Sequence, residues 1–272
     1  MRARGLQIVC WCAAACVAFS GGCLRHWSNQ LTPPGDFELV RQQLVFHSDF
    51  PLASQHRLLE ELTARRSDLQ NRLQIPLSDE PIHVYLFENA DRFGTFVRLY
   101  HPGFPARRAF FLETDTRLLV YAQWGDRVAE DLRHEVTHGY LHAVIPGLPL
   151  WLDEGLAEYF ETPRTARGLN RPHLELLASQ CTRRAWQPSL QRLETLDPAL
   201  EMNQQDYAEA WAWIHLLLES PLESHSIIPA YLRDLRQYGA AQPVSLRLVG
   251  HGVDPQQALI DHISRLAADI RP

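Results

Sequence analysis

Two segments separated by a short break constrain the fold of this chain more than anything else in its 272 residues. The first is Asp131-Leu132-Arg133-His134-Glu135-Val136-Thr137-His138 and the second is Leu150-Trp151-Leu152-Asp153-Glu154-Gly155-Leu156-Ala157-Glu158-Tyr159. Between them stands Pro146-Gly147-Leu148-Pro149, which a helix does not cross. The pattern predicts a helix, a tight turn and a returning helix. His134 and His138 then stand one turn apart on a common helix face. Glu154, 16 positions after His138, is carried back over both imidazoles.

Two histidines four residues apart suit joint binding of one zinc ion, and Glu154 supplies a third ligand. Two His and one Glu leave a fourth position open to water, the catalytic rather than the structural pattern. Asp153 is the rival third ligand, but neighbouring helix positions differ by about 100° in direction, so only one of the two faces the ion. Glu135 points to one side of the histidines, where it reaches water at the metal as a general base. His142 continues the stripe but lies two turns, about 12 Å, from His134 along the helix axis, too far to join the same ion, and reads as structural.

These residues resemble the gluzincins, the HExxH metallopeptidases that include thermolysin and aminopeptidase N. His134-Glu135-Val136-Thr137-His138 matches their first motif, and Trp151 to Tyr159 matches the Trp-Leu-x-Glu-Gly-x-Ala-x-Tyr stretch of the aminopeptidase branch. The similarity is closest to small bacterial proteins with a peptidase MA-like domain. It covers residues 126 to 160 closely and 80 to 220 more loosely. The resemblance implies that Glu154 is the third zinc ligand and that Glu158, four further on, holds a ligand imidazole from behind. It implies a Tyr or His across the cleft to stabilise an oxyanion, and Tyr207 is the candidate by position. It also implies that the strand just before the zinc helix, Leu118 to Gln123, is an edge strand that pairs with an extended peptide; an ordinary sheet strand is the other reading of that stretch. The motif of the aminopeptidase branch that captures a free N-terminus has no counterpart here, which favours endopeptidase action. Leu141 and Val144 exclude a metzincin pattern, which needs Gly and His there.

The N-terminus reads as a targeting segment over residues 1 to 23. Arg2 and Arg4 precede an apolar stretch from Ile8 to Phe19 of 12 residues, too short to span a bilayer. Ser20-Gly21-Gly22-Cys23 resembles the end of a lipoprotein signal, with Cys23 lipidated, although Ser20 stands where such signals carry Leu. An ordinary cleaved signal and an uncleaved anchor are the alternatives. Export and a lipid anchor place the protein in the cell envelope. Residues 24 to 36 then form a linker. Four of the five cysteines precede residue 24, so Cys181 alone remains in the body and no internal disulfide is possible. The 26 basic residues, all Arg, against 32 acidic ones give a net charge of −6, and no basic run points to nucleic acid.

The rest of the chain predicts an α+β fold over residues 37 to 272: a small N-terminal mixed sheet lobe (37 to 125), the active-site helix pair, and a helical C-terminal lobe, the last two within 126 to 272. Strands are expected at Phe37 to Phe46, Ile82 to Phe87, Ala109 to Glu113 and Leu118 to Gln123. Helices are expected from Pro51 to about Ile75, after a cap at Asn89 or Asp91, from an Asp126 cap to about Val144, and at Leu150 to Glu161. Four more follow at Leu174 to Cys181, Gln205 to Glu219, Ile227 to Tyr238 and Gln256 to Ala268. Gly155 is expected to let the two motif helices approach closely. Trp211 and Trp213 read as core. The expected function is an exported zinc metallopeptidase acting on a peptide or protein. A non-catalytic zinc-binding envelope lipoprotein serving as a binding or assembly module is the second reading, and zinc hydrolysis of a non-peptide amide or ester is the third.

Overall fold

Apolar residues alternate along two strands of a five-stranded sheet and run unbroken through a third, and helices cover both of its faces. The computed structural model describes residues 32–197, 202–219, 226–250 and 254–270. The signal segment, Cys23 and the first part of the expected linker lie outside the described residues. The sheet is mixed and ordered β1-β2-β3-β5-β4, from β1 (Phe37–Arg41), β2 (Leu44–Ser48), β3 (Ile82–Phe87), β4 (Ala109–Thr114) and β5 (Arg117–Gln123). The pairs β1/β2 and β4/β5 are antiparallel hairpins, and β2/β3 and β3/β5 run parallel. The register aligns Leu44, Ile82 and Leu118, then Phe46, Val84 and Val120, on one face. That face packs on α1 (Arg57–Leu73) and on α3 (Val128–His142). The opposite face carries Phe87, Leu119 and Tyr121 and is covered by Phe93 and Phe96 of α2 (Ala90–Tyr100).

The expected single strand over Phe37 to Phe46 is a hairpin. Gln42 takes φ 50 and turns the chain. No Gly or Asn marks the turn, which is why the sequence hides it. The helix expected from Pro51 starts at Arg57, because the His56 ring, not Pro51, caps it by accepting from the Leu58 amide. Asn89 is the cap of α2, accepting from the Arg92 amide. Asp126 does not cap α3; Arg127 holds that position without a side-chain bond. Leu118 to Gln123 is not an edge strand. It lies between β3 and β4, and the edge on that side of the sheet is β4. The unbroken run Leu118 to Ala122, buried on both faces, already carried that signal: an edge strand seldom buries consecutive residues.

After α3, Gly147 takes φ 64 and the chain returns in α4 (Leu150–Phe160). Then come α5 (Arg171–Arg183), α6 (Leu190–Glu194), α7 (Gln204–Glu219), α8 (Ile227–Tyr238), α9 (Val244–Gly250) and α10 (Pro255–Asp269). Helices α6 and α9 were not foreseen; five and seven residues are too few to establish a period. One apolar core runs from Val84 and Val120 in the sheet to Trp211, Ile228 and Leu259 in the late helices. Trp151, Trp211 and Trp213 are fully buried in it, and truncating one to Ala costs about 3–5 kcal/mol. Cys181 is a free, half-buried thiol. No helix among the described residues is long and apolar enough to cross a membrane.

Candidate metal centre

Helices α3 and α4 run back to back, and their facing residues build the site. The His134 and His138 rings, one turn apart on α3, lie 4.9 Å apart between centroids. Glu154 of α4 enters between them. Its Oε2 is 3.4 Å from His134 Nε2 and 3.7 Å from His138 Nε2. These three residues are positioned to bind a metal ion.

Each imidazole is held from behind by a carboxylate. Asp153 Oδ1 accepts from His138 Nδ1 at 2.8 Å, and Glu161 Oε2 from His134 Nδ1 at 3.1 Å. Both contacts fix the tautomer that turns Nε2 toward Glu154. The groups His138–His142–Asp153 and His134–Glu158–Glu161 also bring donors together, and within them Asp153 already accepts from His138 Nδ1 and Glu161 from His134 Nδ1. Asp153 is thus not a rival of Glu154 for the same ion; the two neighbours take different tasks.

Glu158 does not hold a ligand imidazole. Its Oε2 accepts from His173 Nε2 at 2.8 Å and from Asn170 Nδ2 at 3.1 Å. The expected role falls to Glu161, because α4 runs antiparallel to α3 and its last turn lies over the earlier part of α3. Arg133 Nε donates to the Glu161 carbonyl, and Asn170 Nδ2 donates to the Glu161 side chain at 2.8 Å. His142 lies outside the group of His134, His138 and Glu154: Asp153 Oδ2 accepts from its Nε2 at 2.9 Å and Glu113 Oε2 from its Nδ1 at 2.6 Å.

The field at this site favours positive charge. Burial pushes His134 down, but Glu154 and Glu161 outweigh it and raise the imidazole well above its ordinary pKa. Burial and Asp153 compete in the same way at His138, with a net rise. Farther out, burial lowers His142, yet Asp153 and Glu113 lift it to about 9. Burial raises Glu161 to about 7 against the pull of His134, with Glu158 adding to the rise, while the His173 contact overcomes burial and keeps Glu158 low. Imidazoles hemmed in by carboxylates make a cluster that attracts positive charge, whether it comes as a proton or as a metal cation.

A cavity of about 440 Å³ reaches the site at His134 and Glu154, and Glu135, Tyr207, Arg107 and Ala109 also line it. The structure therefore brings Glu135 and Tyr207 to one cavity, although they are far apart in sequence. Burial raises Glu135 above the usual carboxylate range, with the two imidazoles opposing. Burial, and then the charge of Glu154, keep the Tyr207 phenol protonated. Arg107, Asn170 and His173 carried no local signal in the sequence. Glu161 did: it lies seven residues after Glu154, two turns along one helix face.

Gly155 matters for a reason other than the expected one. It faces α7, not α3: a Cβ there would sit 2.8 Å from the Ala210 carbonyl oxygen. Glycine lets α4 rest on α7 and so sets the depth of Glu154. Replacing Asp153 with Asn keeps the shape but weakens the hold on His138, and metal affinity is expected to fall roughly 10–100-fold. Competition with a chromogenic chelator measures this; unchanged affinity would show that Asp153 does not orient His138.

Searches against protein-family models and against curated proteins return no match to this chain.

Proposed function

We propose that the chain is an exported zinc-dependent metallopeptidase of the gluzincin type, anchored in the cell envelope through a lipid on Cys23. The observation that carries the reading is the placement of Glu154 against two imidazole nitrogens, 3.4 and 3.7 Å away. Zinc bonds of about 2.0–2.1 Å at tetrahedral angles set ligand-to-ligand edges of about 3.3–3.4 Å, so the residues present fit zinc. His134, His138 and Glu154 would hold it. When bound, zinc supplies Lewis acidity, which makes water more acidic and polarises a carbonyl.

The remaining work belongs to the chain's own side chains. Glu135 takes the proton that water loses and returns it to the departing amine nitrogen. Its burial favours that exchange, because a carboxylate with a raised pKa is a better base near neutrality. Tyr207 donates its hydroxyl hydrogen to the oxygen that gains negative charge. The substrate follows β4. That edge strand starts at Ala109, a residue of the cavity wall, and offers unpaired backbone groups to an extended peptide independently of its sequence. With no device for a free N-terminus in the sequence, cleavage within a chain is the favoured mode.

Zinc analysis combined with digestion of a broad peptide library tests the proposal. One zinc ion per chain is expected, with cleavage lost on chelation and restored by a single equivalent of zinc. A protein that holds zinc yet cuts no peptide would instead be the non-catalytic binding module.

A further inference from the structure

At the C-terminal end of α4, beside Tyr159 and Phe160, lies a second cavity, of about 730 Å³, that shares no lining residue with the first. Among its lining residues, Arg65, Arg72, Arg164 and Arg167 face only Asp68 and Glu219, which leaves two positive charges in excess. Two of the arginines are committed to those acids: Arg164 bonds Asp68 at 2.7 Å, and Arg72 bonds Glu219. Arg65 makes only long ion pairs, to Asp68 at 3.9 Å and to Glu61, outside the lining, at 4.0 Å, and Arg167 has no ion pair among the described residues.

Arg65 is the unusual one. Its side chain is only 5% exposed, and its Nε has no hydrogen-bond partner among the described residues. One Nη2 bond goes to the Thr162 carbonyl at 2.9 Å, and the nearest carboxylates stand back at 3.9 and 4.0 Å. That Nε is enclosed by protein, so a ligand in the cavity meets Arg65 through its Nη groups, and a buried guanidinium so loosely paired is costly unless an anion offsets its charge. Arg167 adds a second sign. It is exposed and takes φ 50, a left-handed backbone that costs a non-glycine residue about 1 kcal/mol or more. The next residue, Gly168, takes φ +75 and presses so closely on the Tyr159 ring that a Cβ would lie 2.0 Å from it. The loop is therefore clamped in the form that puts Arg167 in the cavity wall.

We propose that this cavity binds a small anion bearing a phosphate or carboxylate group, held by Arg65 and Arg167. Guanidinium forks match both groups in geometry and charge. The inference does not rest on the metallopeptidase reading, since none of its residues touches the metal ligands. Calorimetric titration of the purified, chelator-treated protein with inorganic phosphate, and separately with succinate, at constant ionic strength tests it. Saturable binding of at least one is expected, and the tighter of the two identifies the group recognised. Arg167→Asn, which tolerates the same backbone, should weaken binding about tenfold. Reloading with zinc should leave the affinity unchanged. Absence of saturation with both anions, undiminished binding in the variant, or binding that appears only with zinc present would overturn the assignment.

Discussion

Glu135→Gln is expected to keep the metal and to lose about 10²–10⁴-fold in the rate of peptide cleavage. The residue lines the cavity beside His134 and Glu154 but does not belong to the group of donors they form with His138. Its removal therefore leaves the ligand set whole. Gln keeps the size and the hydrogen-bonding reach of Glu but cannot carry a proton from water to an amine. Zinc stoichiometry and affinity give the control, and single-turnover cleavage of the best library substrate gives the effect. Full activity with bound zinc would remove Glu135 from the mechanism. Joint loss of zinc and activity would make it a binding residue.

Gly155→Val is expected to cost about 3 kcal/mol or more in unfolding free energy. Helix propensity alone would predict the reverse sign, because replacing Gly within a helix ordinarily gains up to about 1 kcal/mol. Packing decides against that gain. The first added carbon lies 2.8 Å from the Ala210 carbonyl oxygen and 2.9 Å from Ile214 Cγ1. The oxygen is backbone, fixed in α7 just before two fully buried tryptophans, Trp211 and Trp213, and cannot turn aside. Helix α4 must lift, and Glu154 lifts with it. Denaturant unfolding should show the lower midpoint, and chelator competition should show weaker metal binding in the folded variant. Gly139 offers the contrast. A Cβ there also meets an atom at 2.9 Å, but that atom belongs to the Ile82 side chain and not to the backbone, so a shift of a few tenths of an ångström within the core relieves it. Gly139→Ala is therefore expected to cost much less.

The helix–turn–helix and its donors were legible because they depend on local geometry. Positions 134 and 138 share a helix face whatever surrounds them, and the break at Pro146 and Gly147 leaves the chain little choice but to return. Glu154 could be singled out on the same ground. The strands Ile82–Phe87 and Ala109–Thr114 were equally readable, since apolar alternation and turn residues are short-range signals.

What the tertiary structure alone decided is which distant groups meet. Asp153 and Glu161, not Glu158, hold the imidazoles, because the antiparallel crossing of α3 and α4 sets which turn of one helix lies over which turn of the other. Asn170 and His173 reach the site only after a 3₁₀ turn at Arg164–Ala166. The interior place of β5 and the facing of Gly155 toward α7 depend on strand order and helix packing. Periodicity states which face of an element is buried; it does not name the element that buries it, because that choice is settled by contacts between residues far apart along the chain.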